Sequence, residues 1–383
     1  MGVPFHRPYF DLSEVEAVTK ALKRHLIGTG PIVSSFEKDF RQYIGAEYAI
    51  AVNSCTSALH LALDAMDISP GDEVITTPLT FCATILAIEY LGAVPVFADI
   101  DPVSLCLDPK SVAEKVTDRT KAIMPVHYAG YPCDLDALQH IASQHGLAII
   151  EDAAHAFSTT YKGRRIGQAL PNTRSATCFS FHATKALSIG DGGMIVTSDQ
   201  VMADKMVRKR LFGMTRLEGS DPASDVSLQY TVDTLGYKYN MTDIEAAIGR
   251  EQLKKAETMH ELRKQAAAQY LQKLDGIPGI QLPTEPVDGE HSWHLFVIRV
   301  PQELRSRLIK QLNVSGIKTT IHFTPVYRFP YFRPRFPKAS FSLPHTEKFA
   351  DQLLSLPIFP GITDDDLETV SAAICDFMRK EGG

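Results

Sequence analysis

The sequence predicts an α/β protein, with a large, mainly parallel sheet domain followed by a small α+β domain. Short apolar runs alternate with helical stretches from Tyr48 to Thr197, at the spacing of βαβ units. After Gly276-Ile277-Pro278-Gly279 the composition changes and shorter strands and helices follow. A chain of 383 residues with 44% hydrophobic content fits one large domain plus a smaller one better than a single compact unit. The expected division is 1–255 and 256–383.

In order, Ser13-Glu14-Val15-Glu16 reads as a capping box with Ser13 as N-cap. The helix it opens runs to about Leu26, with Val15, Val18, Leu22 and Leu26 on one face. Gly28-Thr29-Gly30-Pro31 ends it. Tyr48–Val52 is a strand leading through Asn53-Ser54-Cys55-Thr56-Ser57 into the helix Ala58–Met66. A strand entering a helix N-terminus this way makes an anion site, because free N–H groups and the helix dipole point there. Ser and Thr here fit ordinary N-caps as well. Glu73–Thr77 is the next strand, and Thr80-Phe81-Cys82-Ala83-Thr84 opens a helix in which Phe81 alone reads as a core aromatic.

Strands Val94–Ile100 and Ala122–Val126 flank a helix around Pro109–Val116, and the helix Leu135–His145 follows. The apolar run Leu147–Ile150 then closes on Glu151-Asp152, as expected of a buried parallel strand whose carboxyl end opens into a site. No G-x-G-x-x-G follows the first strand, so a dinucleotide site is not supported. Ala176–Phe181 and Met194–Val196 are strands enclosing a polar, Gly-rich loop with Lys185 near its middle. Desolvation between buried strands lowers a lysine's pKa and makes it nucleophilic. Read alone, the loop fits an exposed lysine beside a tight turn equally well.

Further on, the helix Gln200–Phe212 carries Lys205, Arg208, Lys209 and Arg210 as a solvated face, and Thr215–Asp233 reads as a mobile loop near the site. Thr242 caps a helix with Glu245 closing the box, and one long helix is expected from there to Leu274. Trp293–Val300 and Thr319–Phe323 read as strands, and Glu303–Leu312, Glu347–Leu354 and Asp364–Met378 as helices.

The formal net charge of −6 argues against nucleic acid or an anionic membrane as partner. Six cysteines stand singly with no C-x-x-C pair, which argues against zinc or a disulfide framework and for a reducing compartment. The N-terminus lacks an apolar signal core and no run of 18 apolar residues occurs, so a cytoplasmic protein is expected.

Pyridoxal phosphate needs a lysine to carry its aldehyde and a carboxylate to keep its ring nitrogen protonated. Lys185 and Asp152 supply both residue types. The chain resembles the DegT/DnrJ/EryC/StrS sugar aminotransferases, which are fold-type-I (aspartate-aminotransferase-like) pyridoxal-phosphate enzymes. The family pattern E-D-A-A-H/Q matches Glu151–His155, and S-F-x-x-x-K-x(4)-G-[DE]-G-G matches Ser180–Gly193. Agreement extends from about Pro4 to the last helix.

The resemblance implies Lys185 as the catalytic lysine and Asp152 as the ring-nitrogen partner. It places His155 against the ring or its phenolic oxygen, Phe81 on the ring face, and Thr56, Ser57 and Ser180 at the phosphate. Asn240, within Gly236-Tyr237-Lys238-Tyr239-Asn240-Met241, reaches the phosphate of the other subunit in relatives, so a homodimer with shared sites is implied. The resemblance also turns Gly28, Thr29 and His322 toward the sugar, although His322 read by itself fits a satisfied strand histidine at least as well. The implied activity moves an amino group between glutamate/2-oxoglutarate and a nucleotide-linked keto sugar. The chain looks most like the branch making UDP-4-amino-4-deoxy-L-arabinose. A dehydratase of the same fold is the enzymatic alternative, although those relatives carry histidine at the lysine position. A cofactor-binding regulatory protein without turnover is the alternative from another class.

Overall fold

The computed structural model describes residues 2–25, 27–216 and 230–381. The first helix, α1 (Leu12–Lys23), is capped by Asp11, whose side chain accepts the Ser13 N–H at 2.8 Å, while Glu14 accepts the Asp11 N–H at 2.9 Å. The capping box therefore begins two residues before Ser13, and the helix turns a different face inward. Glu14 and Ala21 are buried, whereas Val15 and Leu22 are exposed. Leu26 lies outside the described residues. Burial of Glu14 is offset by Lys255 and Gln252, each 2.7 Å from its carboxylate.

Gly30-Pro31 starts a helix rather than ending one. Gly30 is the N-cap of α2 (Pro31–Ile44), with Pro31 at the first helical position, where its missing N–H costs nothing. Gly30 has no capping side chain. Asp243 supplies the cap from across the fold, accepting the Gly30 and Val33 N–H groups at 3.0 and 2.9 Å.

The sheet region then runs β1 (Tyr48–Val52), α3 (Cys55–Ala65), β2 (Glu73–Thr76), α4 (Cys82–Glu89), β3 (Val94–Phe97), α5 (Pro109–Ala113), β4 (Thr120–Met124), α6 (Leu135–His145), β5 (Ala148–Asp152), the short β6 (Thr160–Tyr161) and β7 (Arg164–Arg165), β8 (Ser175–Ser180) and β9 (Gly193–Thr197). Seven strands form one sheet in the order β1-β9-β8-β5-β4-β2-β3, in which β9 alone runs antiparallel. Every residue of β8 and β9 is buried, so their near-continuous apolar runs are those of strands covered on both faces. Helix packing divides the apolar interior along the sheet: Phe36, Phe40, Phe179 and Phe181 fill one side, and α3 with Met202 and Met206 the other.

Beyond the sheet, α7 (Gln200–Lys209) is not simply a solvated face. Lys209 pairs with Asp64 at 2.8 Å, Lys205 with Asp67 at 2.7 Å, and Arg210 with Glu37, tying the helix to its neighbours. The ends of the expected loop pair as antiparallel strands, β10 (Met214–Arg216) and β11 (Tyr230–Val232). The rest of that stretch lies outside the described residues. The single long helix is two, α8 (Asp243–Lys254) and α9 (Ala256–Leu274). The chain turns at Lys255, which has φ −95° and ψ 0° and whose amine binds Glu14 and Asp11.

The remaining elements are β12 (Gly289–Glu290), β13 (Phe296–Arg299), α10 (Gln302–Val314), α11 (Pro344–Ala350), β14 (Leu353–Leu356) and α12 (Asp364–Glu381). Here β13 and β14 pair antiparallel, and a further core gathers Tyr270, Trp293, Phe296, Leu308, Leu354 and Ile374 together with Val3. The expected strand Thr319–Phe323 is reduced to one bridge between Thr320 and Ser355. The expected helix Glu347–Leu354 stops at Ala350, because Leu353 and Leu354 join the sheet instead. Among the described residues no helix is long and apolar enough to cross a membrane.

Candidate active site

The carboxyl ends of β1, β2, β5 and β8 and the start of β9 meet at one edge of the sheet, the edge where open α/β sheets bind ligands. Asp152 ends β5 and is buried. Its Oδ2 accepts the Thr84 hydroxyl at 2.8 Å, and its Oδ1 accepts the Ala154 N–H at 3.1 Å. Burial raises its pKa above the ordinary carboxylate value, against the opposing pull of Thr84, Ala154 and Lys185.

The preceding residue, Glu151, points to the other face of the strand and is fully engaged. It accepts from His127 Nε2 at 2.9 Å and from the Thr177 hydroxyl at 2.6 Å. The Cys133 N–H donates to His127 Nδ1 at 3.1 Å, so Nε2 carries the proton that His127 gives to Glu151. The acidic pair thus splits into a framework member and a site member.

Lys185 sits in a loop folded back on itself by bonds from Ala183 N–H to Gly190 and from Ile189 N–H to Phe181. Gly190 and Gly192 carry φ of 99° and 155°, which side-chain-bearing residues rarely adopt. Lys185 is half-buried as a residue, and its amine is the desolvated end. Burial lowers its pKa to about 8, with Cys55 and Asp152 pulling the other way. The two residues picked from sequence, 33 positions apart, therefore face one chamber.

His155 lies in the same chamber, stacked on Phe323 with ring centroids 5.8 Å apart and meeting His294 at 4.5 Å with the rings tilted by 43°. Burial holds its pKa well below 6.5, so it is neutral, and its Nδ1 has no partner among the described residues. His322 bonds Ser355 at 2.8 Å, and burial lowers its pKa to about 4. Phe81 is no core residue. It is 62% exposed at the N-cap of α4 and lies 6.4 Å from the Phe323 ring.

At the start of α3, Ser54 is the N-cap and Ser57 closes its capping box, so the Ser57 hydroxyl is engaged with Ser54 and Asn53. The Thr56 hydroxyl has no partner among the described residues. Gly193 lets this helix end approach the sheet, since a Cβ there would meet the Ser54 carbonyl carbon at 2.7 Å and the Cys55 nitrogen at 2.9 Å. Ser180 ends β8 beside Gly193.

Asn240 takes its place in the same lateral row. Ser180 pairs with Gly193, Gly193 with Val52, and Val52 bridges to Asn240. Three strand spacings, roughly 14 Å, separate it from Ser180 of its own chain. Its amide donates to Thr29 Oγ1 at 2.6 Å and its carbonyl accepts from Lys238 at 2.6 Å. Gly28 accepts the Asp243 N–H at 2.8 Å, which fastens the Gly28–Thr29 loop to the Asn240 segment.

Three neighbours were not singled out from sequence. Thr84 had a signal, because Thr80 and Thr84 stand one helical turn apart. His294 and Phe323 had none, being more than 130 residues from His155.

These groups fit pyridoxal phosphate: a desolvated amine, a buried carboxylate, a neutral histidine with a free nitrogen, and a helix N-terminus beside a free hydroxyl. Fold and site together define a pyridoxal-phosphate-dependent enzyme. The chain belongs to the DegT/DnrJ/EryC1/StrS aminotransferase family, whose profile matches residues 8–375. It is 43% identical over 382 residues to the spore coat polysaccharide biosynthesis protein SpsC of Bacillus subtilis (strain 168), covering 98% of this chain and 97% of SpsC. The crystal structure of S. venezuelae DesV, in complex with a ketimine intermediate, is 36% identical with a TM-score of 0.89 over 98% of each chain. Spr1654 of Streptococcus pneumoniae, a proposed sugar aminotransferase solved in its PMP form, is 27% identical with a TM-score of 0.92 over 99% of each chain.

Proposed function

We propose that the protein transfers the amino group of glutamate to a keto carbon of a nucleotide-linked sugar, as a homodimer with shared active sites. The observation that carries this is Lys185: its amine is desolvated in one chamber with the buried Asp152. A lysine near 8 is neutral in an appreciable fraction at neutral pH, so it both attacks a carbonyl and accepts a proton. A dehydratase of this fold would carry histidine there.

When bound, pyridoxal phosphate supplies an electron sink that acidifies the carbon bearing the amine. With the cofactor held, Lys185 would serve as the base that takes the proton from the donor α-carbon and, in the other half-reaction, as the acid that delivers one to the sugar carbon. Asp152 holds the ring-nitrogen proton. His155 offers its free nitrogen to the phenolic oxygen, and Phe81 covers the open ring face. Thr56, Ser57 and Ser180 anchor the phosphate at the positive end of α3. Residues 256–383 form a smaller unit, whose His322 faces the sugar opposite Gly28 and Thr29.

The second chain enters through Asn240. The family resemblance assigns its amide to the phosphate across the subunit boundary; within its own chain it bridges to Val52, beside the Asn53–Ser57 segment. Phe10, Leu12, Val15, Leu22 and Ile27, close in sequence to the Gly28 loop, are exposed apolar side chains that a second copy would cover. SpsC supports a polysaccharide setting for the amino sugar.

The test is a panel. Enzyme first reduced with glutamate is mixed with UDP- and dTDP-linked 3-keto and 4-keto sugars, and the visible absorbance of the lysine-linked cofactor is followed. One or more keto sugars should restore it. Bleaching by glutamate with no recovery on any nucleotide sugar, but recovery on a free sugar or keto acid, would overturn the substrate class.

A further inference from the structure

The first turn of α4 presents more than Phe81 to the site. Thr84 is buried and its hydroxyl meets Asp152 Oδ2 at 2.8 Å. Thr80, also buried, lies 2.8 Å from the same Thr84 oxygen. An ionised carboxylate only accepts, so Thr84 must spend its proton on Asp152. Thr84 is then the acceptor for Thr80, and the direction of both bonds is fixed. With the Ala154 N–H on Oδ1, every hydrogen bond around the carboxylate delivers a donor to it.

We infer that Thr84, oriented by Thr80, is a positioning residue that holds Asp152 ionised and aimed at the proton of the cofactor's ring nitrogen. Burial alone works against this arrangement, because a desolvated carboxyl prefers to keep its own proton. A proton on Asp152 is one that the ring nitrogen has lost. The Thr84 donor, oriented by Thr80, biases that partition toward the ring, and the positive charge of Lys185 acts in the same direction. The bonds also set the carboxylate plane. The inference rests on the reading of Asp152 as the partner of the ring nitrogen.

The experiment uses holoenzyme reconstituted with ¹⁵N-labelled pyridoxal phosphate, whose ring-nitrogen chemical shift reports protonation. Wild type should show the protonated position. Thr84→Val keeps the shape but removes the donor, and should move the signal toward the unprotonated position. The ratio of protonated to ionised Asp152 then rises about tenfold, the order of one lost charge-assisted hydrogen bond. Thr84→Ser should restore the wild-type signal. In the first half-reaction the Thr84→Val rate should fall in step with the ring-protonated fraction, by no more than about tenfold, with the donor KM nearly unchanged.

Thr84→Val leaves the Thr80 hydroxyl without its acceptor, so the double variant Thr80→Val, Thr84→Val guards against a folding defect. It should reproduce the shifted signal. A wild-type ¹⁵N position in both variants, with cofactor bound, overturns the inference. Asp152→Asn is the reference: if it leaves the ring signal protonated, the reading of Asp152 itself has failed.

Discussion

Replacing Lys185 by methionine should inactivate the enzyme and stabilise its cofactor-free form. Methionine keeps the apolar reach of the lysine stem and removes the ammonium. An ordinary lysine titrates at 10.5 and Lys185 at about 8. At pH 7 the difference corresponds to about 3 kcal/mol spent on keeping a charged amine in a desolvated chamber. The sign follows from proton binding. Between about pH 8 and 10.5 the unfolded chain holds a proton that the fold has released, so wild-type stability rises with pH across that window. Lys185→Met lacks this titration. Its apoenzyme should be more stable than wild type by up to about 3 kcal/mol at pH 7, with the gap closing toward pH 10.5. Thermal unfolding of both apoproteins at pH 7 and near 10 reads this as a shift of a few degrees that shrinks at high pH. Equal stability at pH 7, or a gap independent of pH, would refute the argument that burial is what depresses the lysine.

Asp152→Asn preserves the volume, removes the charge and leaves one acceptor oxygen where Thr84 and Ala154 each need one. It should retain cofactor but lose at least about a hundredfold in rate, and a near-normal rate would assign the ring nitrogen to another carboxylate. Mixing Lys185→Ala with Asn240→Ala should recover roughly a quarter of wild-type activity under random exchange, since half the dimers are mixed and each has one intact site. No recovery despite demonstrated exchange would confine Asn240 to its own chain.

The α/β pattern was legible because buried parallel strands announce themselves. The sequence placed Tyr48–Val52 and Leu135–His145 with their observed bounds, and Asp152 at the end of its strand. Where reading failed, a distant residue decided. The capping box of α1 moved to Asp11 because Glu14 is drawn inward by Gln252 and Lys255, some 240 positions away. The start of α2 depends on Asp243. Its apolar spacing, Ile32, Val33, Phe36, Phe40 and Ile44, was nonetheless in plain view, and reading Gly30-Pro31 as a stop hid it. The strand Thr319–Phe323 failed for the opposite reason: local propensity was adequate, but Ser355 offered it a single bridge. Motif residues were legible as types. That Lys185, Asp152 and His155 share one chamber with His294 and Phe323 is a property of the fold alone.

Adjacent residues on β5 show how the fold separates framework from chemistry. Strand alternation sends Glu151 and Asp152 to opposite faces. Glu151 meets a full complement of donors from His127 and Thr177, and breaking either would strand a buried charge. Asp152 shares its chamber with an amine that burial pushes toward neutrality and with the unpartnered nitrogens of His155 and His294. A ligand bearing a protonated ring nitrogen, a phenolic oxygen and an aldehyde would pair with Asp152, His155 and Lys185 in turn. Pyridoxal phosphate is therefore a ligand for the native state as well as a reagent, and its binding free energy adds to stability by mass action. The face of β5 that carries Asp152 presents the carboxylate to the ligand, and the face that carries Glu151 keeps that arrangement in register.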